Sequence, residues 1–306
     1  MKVYKYSIII PHHNTPKLLS RLLNSIPRRE DLEVIIVDDN SDGAIVDFDH
    51  FPGMGRPNVQ IIFDKAGRYG GYARNLGLSV ASGEKILFAD SDDFFNYCIN
   101  DILDDYADNC DDVVYFKANS IDCDNYTNSN RSLLLNEYID LFRNNRIQSE
   151  LLLRYKFGEP WCKLIKRDLI VANKICFEER SIHNDTAFSY KIGYYAQSIE
   201  VDSRALYCVT SRANSVSKSI SESKKLERID CFATAELFYE SHNIPVKIRT
   251  HYNQLAKSWL TNRKTYNEGI QILYRMGFKK SDIRKEVIPL IIYNIISNPL
   301  FLFKRI

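Results

Sequence analysis

The stretch GEKILFADSDDFFN, residues 83–96, decides the fold because it joins a buried strand to a dense acidic turn. Its apolar run KILFA, residues 85–89, has the length and composition of a strand that is covered on both faces. Three carboxylates follow within four positions, those of Asp90, Asp92 and Asp93. Carboxylates about 4 Å apart repel by several kcal/mol at an effective dielectric near 20, so we expect a counter-charge beside them.

Three apolar runs upstream repeat this pattern. They are YSIII (6–10), EVIIV (33–37) and VQIIF (59–63). Thr15 and Pro16 supply an N-cap and a first-turn proline for a helix over KLLSRLLNSI, and a glycine-rich loop leads to a second helix, YARNLGLSVAS, which stops at Gly83. Strands that alternate with helices and are buried on both faces predict an α/β fold, a Rossmann-like and mostly parallel doubly wound sheet.

Polar clusters follow three of these strands in the same sense. They are HHN (12–14), DDNSD (38–42) and DSDD (90–93). The carboxyl ends of parallel strands lie along one edge of a sheet, and ligands of such folds bind beyond that edge. The sequence therefore predicts a single site built from all three clusters.

The pattern becomes less regular after about residue 117. A polar stretch at 119–132 indicates a loop or hairpin insertion, and the strand-like runs KICF (174–177) and ALYCV (205–209) flank a helical pattern at 186–197. From residue 223 to the end the apolar period is helical. We predict an α/β domain over 1–222, in which 1–117 binds the donor and 118–222 faces the acceptor, and a C-terminal helical region over 223–306.

Composition narrows the class of protein. The 306 residues are 45% hydrophobic, enough for a substantial core. Lys and Arg number 41 against 39 Asp and Glu, a formal charge of +2 that argues against a nucleic-acid partner. Seven widely spaced cysteines include no CxxC pair, which favours reduced, buried thiols over zinc or redox chemistry. The apolar run before Pro11 is shorter than a secretory signal core, so we expect a cytoplasmic protein.

The last twenty residues, VIPLIIYNIISNPLFLFKRI, require a membrane test. Pro289, Asn294 and Pro299 interrupt the apolar stretch, which argues against a spanning helix. We expect a packed helix. The alternative is an interfacial tail at the inner face of the cell membrane, with Lys304 and Arg305 near lipid head groups.

A divalent cation is the simplest counter-charge for the acidic turn. Mg²⁺ and Mn²⁺ prefer oxygen ligands, and Mg²⁺ is commonly held by one or two carboxylates together with substrate phosphate oxygens and water. An extended Asp-x-Asp places Asp90 and Asp92 on the same side of the chain. The alternative is that these aspartates cap the following helix or lie in solvated turns.

Four segments in order resemble the family 2 glycosyltransferases with the GT-A fold. They are SIIIPHHN, VIIVDDNSDG, GGYARNLGLSVASGEKILFADSDD and HNDTAFSYKIG, and the likeness extends over roughly residues 5–215. The resemblance implies an inverting enzyme that moves a sugar from a nucleotide diphosphate, most often UDP-linked, to an acceptor hydroxyl. A carbohydrate or a lipid-linked saccharide in surface polysaccharide or glycolipid synthesis would be the acceptor.

The same resemblance assigns roles to single residues. The implied nucleotide-sugar-binding residues are Pro11, His13, Asp39, Gly71, Arg74 and Asp90; the implied metal ligands are Asp92 and Asp90; the implied base is Asp185; and the implied acceptor-side residues are Trp161 and Lys163. His13 stands where the family's Pro-x-Tyr-Asn motif has its aromatic residue, and Asn184 stands where the family has a glutamate before the base. Asn75 accompanies Arg74 in the family's Arg-Asn pair, and Arg212 or Lys218 would belong to a loop that closes over the donor.

Each role has a structural alternative. Asp39 suits a turn, Arg74 a solvated helix face and Trp161 an ordinary core position. Asp185 begins a helical pattern, so its carboxylate is either an N-cap or a base kept ionised by the positive end of the helix.

Two other classes of protein compete with the enzyme. A non-catalytic protein that binds a sugar nucleotide would keep the donor residues and be unaffected by loss of Asp185. A phosphoacceptor receiver is suggested by VDDNSDG alone, and the DSDD cluster after the fourth strand fits it poorly.

Overall fold

The chain forms two compact units, and the computed structural model describes residues 4–211 and 221–297. The first unit is Met1–Arg180 with Asn184–Ala213, and the second is Ser181–His183 with Asn214–Ile306. Residue 117, where the sequence analysis divides the first region, lies inside a strand.

The first unit is built on one sheet. Its strands are β1 (Tyr6–His12), β2 (Leu32–Asp39), β3 (Val59–Asp64), β4 (Lys85–Phe88), β5 (Phe94–Phe95), β6 (Val113–Asp122), β7 (Lys163–Lys166) and β8 (Ile199–Ser211). The strand order is β3-β2-β1-β4-β7-β6-β8-β5. The pairs β1–β2, β1–β4, β2–β3 and β6–β8 are parallel, whereas β7 and β5 pair antiparallel with their neighbours. The sheet is therefore mostly parallel.

Helices accompany the sheet and form the second unit. Those of the first unit are α1 (Pro16–Ser25), α2 (Tyr69–Val80), α3 (Ile99–Asp105), α4 (Leu133–Leu141), α5 (Arg146–Tyr155), α6 (Arg167–Ala172) and α7 (Thr186–Tyr195). Those of the second are α8 (Glu222–Ser241), α9 (Thr250–Thr261), α10 (Arg263–Arg275) and α11 (Lys280–Ser297). Ile229, Leu255, Leu273 and Val287 lie in the core of this second unit.

A buried carboxylate ties three segments at the amino-terminal end of the parallel strands. Glu33 of β2 is buried, and its Oε1 accepts hydrogen bonds from the Ser7 hydroxyl (2.6 Å), the Ser82 amide (2.7 Å) and the Gly83 amide (3.1 Å). A buried charge is tolerated when several donors satisfy it. The bonds fix where the chain enters β4, and therefore where the acidic turn after β4 lies.

The structure confirms the four N-terminal strands and corrects several local predictions. KICF at 174–177 is not a strand. The second helix begins at Tyr69, so the predicted glycine-rich loop is its first turn. Gly83 does not end that helix, because α2 stops at Val80. The Thr15 side chain does not cap α1; its hydroxyl lies 2.9 Å from that of Ser91 in the acidic turn.

Candidate active site

The parallel register brings the first two polar clusters together. His12 of β1 lies opposite Asp38 of β2, and its Nδ1 is 2.7 Å from the Asp38 carboxylate. The Thr15 amide donates to His12 Nε2 (3.1 Å), so Nδ1 carries the proton and the ring is neutral. Ser41 donates its hydroxyl (2.6 Å) and its amide (3.1 Å) to Asp38. Asp38 is therefore fully used in joining two loops.

Asn14 completes this join with its backbone and its side chain. Its amide donates to Ser41 Oγ and its Oδ1 accepts from the Asp42 amide, each over 2.8 Å. His13, next to it, bonds through Nδ1 to the Asp39 carbonyl (2.8 Å) and is otherwise exposed. An exposed ring held in one orientation is a suitable surface for a nucleobase to stack on.

Asp39 lies directly beyond this join and is buried. Its Oδ1 accepts the Arg68 amide, at the N-terminal end of α2, over 3.0 Å. Its predicted pairing with a base stays a prediction.

Arg74 links two of the sequence motifs across the site. Its Nη2 donates to Asp90 Oδ1 (2.5 Å) and its Nη1 donates to Asn184 Oδ1 (3.1 Å). The Arg74 side chain is 8% exposed, whereas that of Asp90 is 31% exposed. The counter-charge for the first aspartate of the acidic turn is therefore a guanidinium from α2. The solvated-face alternative for Arg74 is wrong.

The residues beside Arg74 hold the 177–184 segment against α2. Asn75 bonds the main chain of Phe177 twice, from Nδ2 to the carbonyl (2.9 Å) and from the Phe177 amide to Oδ1 (2.8 Å). A Cβ on Gly71 would lie 2.1 Å from the Glu178 carbonyl oxygen. Gly71 thus permits close backbone packing against Glu178, and its predicted contact with the nucleotide stays a prediction.

The three carboxylates of the acidic turn have three different environments. Asp90 is paired with Arg74. Asp93 is buried, and its Oδ1 accepts the Thr210 amide over 2.6 Å. Burial raises the pKa of Asp93 well above its ordinary value, and the negative charges of Asp92 and Asp90 add to the effect. Repulsion in this cluster is therefore reduced by one ion pair and by the tendency of Asp93 to hold a proton.

Asp92 is half-buried, and its backbone is held from two sides. The Thr210 hydroxyl donates to its carbonyl (2.7 Å), as does Nη2 of Arg21. The Arg21 guanidinium also lies over the Phe94 ring, 5.0 Å from its centroid. These contacts fix the turn that presents the Asp92 side chain.

Asp185 lies at the N-terminus of α7, but its carboxylate makes no capping hydrogen bond. Burial raises the pKa of Asp185 to about 6; the Arg74 charge opposes this rise, and the Glu159 and Asp90 charges add to it. The expectation that the helix end dominates is wrong in sign, because desolvation outweighs it. A carboxylate with a pKa near 6 is ionised at neutral pH and still accepts a proton readily.

Trp161 and Lys163 are core residues, which corrects the acceptor-side prediction. Trp161 is 2% exposed and stacks on Tyr207, with ring centroids 6.1 Å apart. Lys163 is 0% exposed, and its Nζ donates to the Phe157 carbonyl (3.2 Å) and to Ser189 Oγ (3.0 Å). A side chain without exposed surface does not contact an acceptor.

The structure adds positioning residues that sequence reasoning missed. The Asp90 amide donates to the Tyr207 hydroxyl over 2.8 Å, so the tyrosine stacked on Trp161 fixes the start of the acidic turn. Arg21 and Thr210 fix the Asp92 backbone. Arg21, inside the helical run KLLSRLLNS, is a cation between apolar residues, which is the one local signal that it points inward.

The donor groups here fit a shared metal rather than an all-protein one. Within residues 4–211 and 221–297, no group of three or more His, Cys, Asp or Glu side chains is arranged to hold a metal ion. Mg²⁺ and Mn²⁺ are commonly bound by one or two carboxylates, with substrate phosphate oxygens and water as the other ligands. Asp92 and Asp90, adjacent in the turn and partly exposed, provide that oxygen set.

Comparison with known proteins identifies the family. A family model described as glycosyl transferase family 2 matches residues 7–171. The chain belongs to this family. A cholesterol galactosyltransferase of Borreliella burgdorferi is 27% identical over 238 residues, 71% of this chain and 63% of that protein. The poly(ribitol-phosphate) β-N-acetylglucosaminyltransferase TarS of Staphylococcus aureus is 33% identical over 97 residues, 30% of this family 2 chain and 17% of that protein.

The fold of this family 2 chain is also that of solved relatives. The crystal structure of S. aureus TarS 1-349 in complex with UDP-GlcNAc aligns with a TM-score of 0.59 and 25% identity, over 83% of this chain and 71% of that chain. The predicted family and GT-A fold are confirmed, and the receiver interpretation is wrong.

The remaining predictions concern the membrane and the closing loop. No helix in the described residues is long and apolar enough to cross a membrane. Arg212 and Lys218, assigned to the loop over the donor, and Lys304 and Arg305 of the tail lie outside the described residues.

Proposed function

We propose that the chain is an inverting glycosyltransferase that transfers a sugar from a nucleoside diphosphate donor, UDP-linked, to an acceptor hydroxyl of a carbohydrate or lipid-linked saccharide. The observation that carries the proposal is the Arg74 bridge, which joins Asp90 of the acidic turn to Asn184 beside Asp185. Residues 94 positions apart thereby become one site that combines a cation, oxygen donors and a carboxylate base. Membership of family 2 and the fold shared with TarS support this reaction class.

Each group has a part in a single displacement. Asp185 accepts the proton of the acceptor hydroxyl as its oxygen forms a bond to the anomeric carbon. The bond between that carbon and the diphosphate oxygen breaks, and the diphosphate leaves with the electron pair. Attack and departure on opposite faces invert the anomeric centre.

Cationic charge assists the departure of the diphosphate. Arg74 has its guanidinium at the Asp90 carboxylate, where the diphosphate of the donor would add further negative charge. A divalent ion, Mg²⁺ or Mn²⁺, held by Asp92 and Asp90 would supply Lewis-acid stabilisation of the same oxygens. His13 and Asp39 would hold the base, the first by stacking and the second by accepting an N–H.

Three variants and one chelator test the reaction. Release of nucleoside diphosphate from a panel of nucleotide sugars is measured with Mn²⁺ and with EDTA. Asp185→Asn is expected to abolish transfer and keep donor binding, and Asp92→Asn is expected to weaken metal-assisted donor binding. Asp101→Asn, an exposed aspartate of α3, is the matched control. Donor binding with full activity in Asp185→Asn would sink the base assignment. Binding without turnover in the unmodified protein would favour the non-catalytic alternative.

The stereochemical course is tested separately. NMR of the product anomeric proton, with a donor of known configuration, is expected to show inversion. Retention of configuration would contradict single displacement by Asp185.

We also propose that α11 contacts an anionic lipid surface. One side of α11 packs into the second unit through Ile283 and Val287. Its other side exposes apolar residues with helical spacing: Ile288, Ile292, Tyr293 and Ile296. Lys280, Arg284 and Lys285 are exposed at its N-terminal end, against one exposed acid on this helix, Asp282. Cations beside an apolar stripe disfavour pairing of two copies and match anionic head groups.

Vesicle sedimentation tests this contact. The full chain is expected to bind vesicles that contain phosphatidylglycerol more than pure phosphatidylcholine, and the double variant Ile292→Glu with Ile296→Glu is expected to bind at least tenfold less. Ile147→Glu, on an exposed isoleucine of α5, is the control. Equal binding to both vesicle types, or a dimer that only the α11 variant dissociates, would contradict the proposal.

A further inference from the structure

Lys163 is an unusual core residue because its ammonium is buried without a direct ionic partner. Among the described residues, no carboxylate forms an ion pair with its Nζ; the acceptors are the Phe157 carbonyl and Ser189 Oγ. Aromatic rings complete its surroundings, with Nζ 4.7 Å from the centroid of Phe157 and 5.7 Å from that of Tyr115. Burying a charge in this way costs stability, and an apolar side chain of similar length avoids that cost.

The hydrogen bonds of Lys163 lead to the helix that carries Asp185. Ser189, its acceptor, lies in the first turn of α7, and the Ser189 amide donates to the Asp185 carbonyl over 2.9 Å. The Ser189 hydroxyl donates to the Gly158 carbonyl over 2.5 Å. Lys163 and Ser189 together therefore join the 157–158 backbone to the start of α7.

The charge of Lys163 also acts on Asp185. Burial lowers the pKa of Lys163 to about 7, and the negative charges of Glu159 and Asp185 oppose this. Coupling between two charges is reciprocal, so a protonated Lys163 stabilises the ionised form of Asp185. The other charged groups around Asp185 are Arg74 of α2, Asp90 after β4 and Glu159 before β7. Lys163 therefore contributes positive charge from the core side, opposite to its acidic neighbours in sign.

We propose that Lys163 is a positioning residue for the base: it fixes the first turn of α7 and supplies the buried positive charge that keeps Asp185 ionised. This inference rests on the proposed role of Asp185 in transfer. It explains why a lysine occupies a site that a methionine would fill with less cost to stability.

Lys163→Met separates this role from ordinary packing. The Asp185 pKa is measured by NMR of labelled aspartate carboxyl carbons in the full chain. We expect it to rise from about 6 to about 7 in the variant. In kcat/KM, the loss is then about fivefold at pH 6 and nearly absent at pH 8, because the ionised fraction of Asp185 recovers. A purely structural defect lowers kcat/KM equally at both pH values.

Two more variants complete the test. Lys163→Gln keeps a donor for Ser189 without the charge, and we expect the same rise in the Asp185 pKa even if Lys163→Met folds poorly. Tyr115→Phe is the control, since its buried hydroxyl has no hydrogen-bond partner and its loss leaves the charge in place. An Asp185 pKa that is unchanged in both Lys163 variants overturns the inference. Full activity of Asp185→Asn overturns the base assignment instead, and the NMR measurement distinguishes the two failures.

Discussion

Replacing Gly71 by alanine tests whether the packing between α2 and the 177–184 segment sets the geometry of the site. The new Cβ would lie 2.1 Å from the Glu178 carbonyl oxygen and 2.9 Å from Asn184 Cβ. Real Cβ atoms do not approach other atoms closer than 3.0 Å, so one of the two segments must move by at least 0.9 Å. The obstructing atom belongs to the backbone, so no side-chain rotation relieves the contact.

The expected effect is larger on activity than on stability. Overpacking of this kind costs about 1–3 kcal/mol in the free energy of unfolding. The two segments carry Arg74 and Asn184, so a shift between them breaks the 3.1 Å bond that joins the acidic turn to the base. A misplacement of about 1 Å in catalytic geometry costs roughly 100-fold in rate. We expect kcat/KM to fall about 100-fold while the variant remains folded.

The assay is release of nucleoside diphosphate, with thermal unfolding measured in parallel. Gly43→Ala is the matched control, since a Cβ there meets only Phe48 at 3.9 Å, an ordinary contact. Gly71→Ala with kcat/KM within threefold of the unsubstituted chain would refute the reasoning, because the site would then tolerate a displacement of the Arg74 bridge.

Three further substitutions or conditions have definite outcomes. Asp93→Asn should remove a pH dependence of stability: the folded-state pKa lies above 3.8, so the free energy of unfolding of the unsubstituted chain falls as pH rises from about 4 towards that pKa, which denaturant titrations at several pH values would show. Glu33→Ala should lower the free energy of unfolding by roughly 2–3 kcal/mol, since buried backbone amides of Ser82 and Gly83 lose their acceptor; an unchanged urea midpoint would contradict this. Transfer should fall as pH drops through about 6, where Asp185 takes up a proton, and a flat kcat/KM between pH 5 and 8 would contradict Asp185 as the base.

Sequence periodicity was sufficient for the donor half of the fold. The first four strands are continuous apolar runs that end in polar clusters, and each signal is local. The convergence of the clusters followed from the parallel arrangement alone. Pairing of His12 with Asp38 across β1 and β2 confirms that convergence.

Sequence reasoning failed where a polar residue is paid for by distant partners. Lys163 reads as a surface residue, and its burial depends on Ser189, 26 positions away. The burial of Arg74 depends in the same way on Asp90 and Asn184. KICF reads as a strand because Ile175 and Phe177 are buried, but they pack as a loop held by side-chain bonds to its backbone. No local pattern encodes such long-range compensation.

The bond from Asn75 to the main chain of Phe177 has a consequence for how this chain can evolve. An amide that grips a carbonyl and an N–H places almost no demand on the side chains of the segment it holds. That segment is therefore free to accumulate substitutions, and relatives can diverge there while its path beside α2 persists. Asn75 has no such freedom, since every replacement would release the segment whatever its composition.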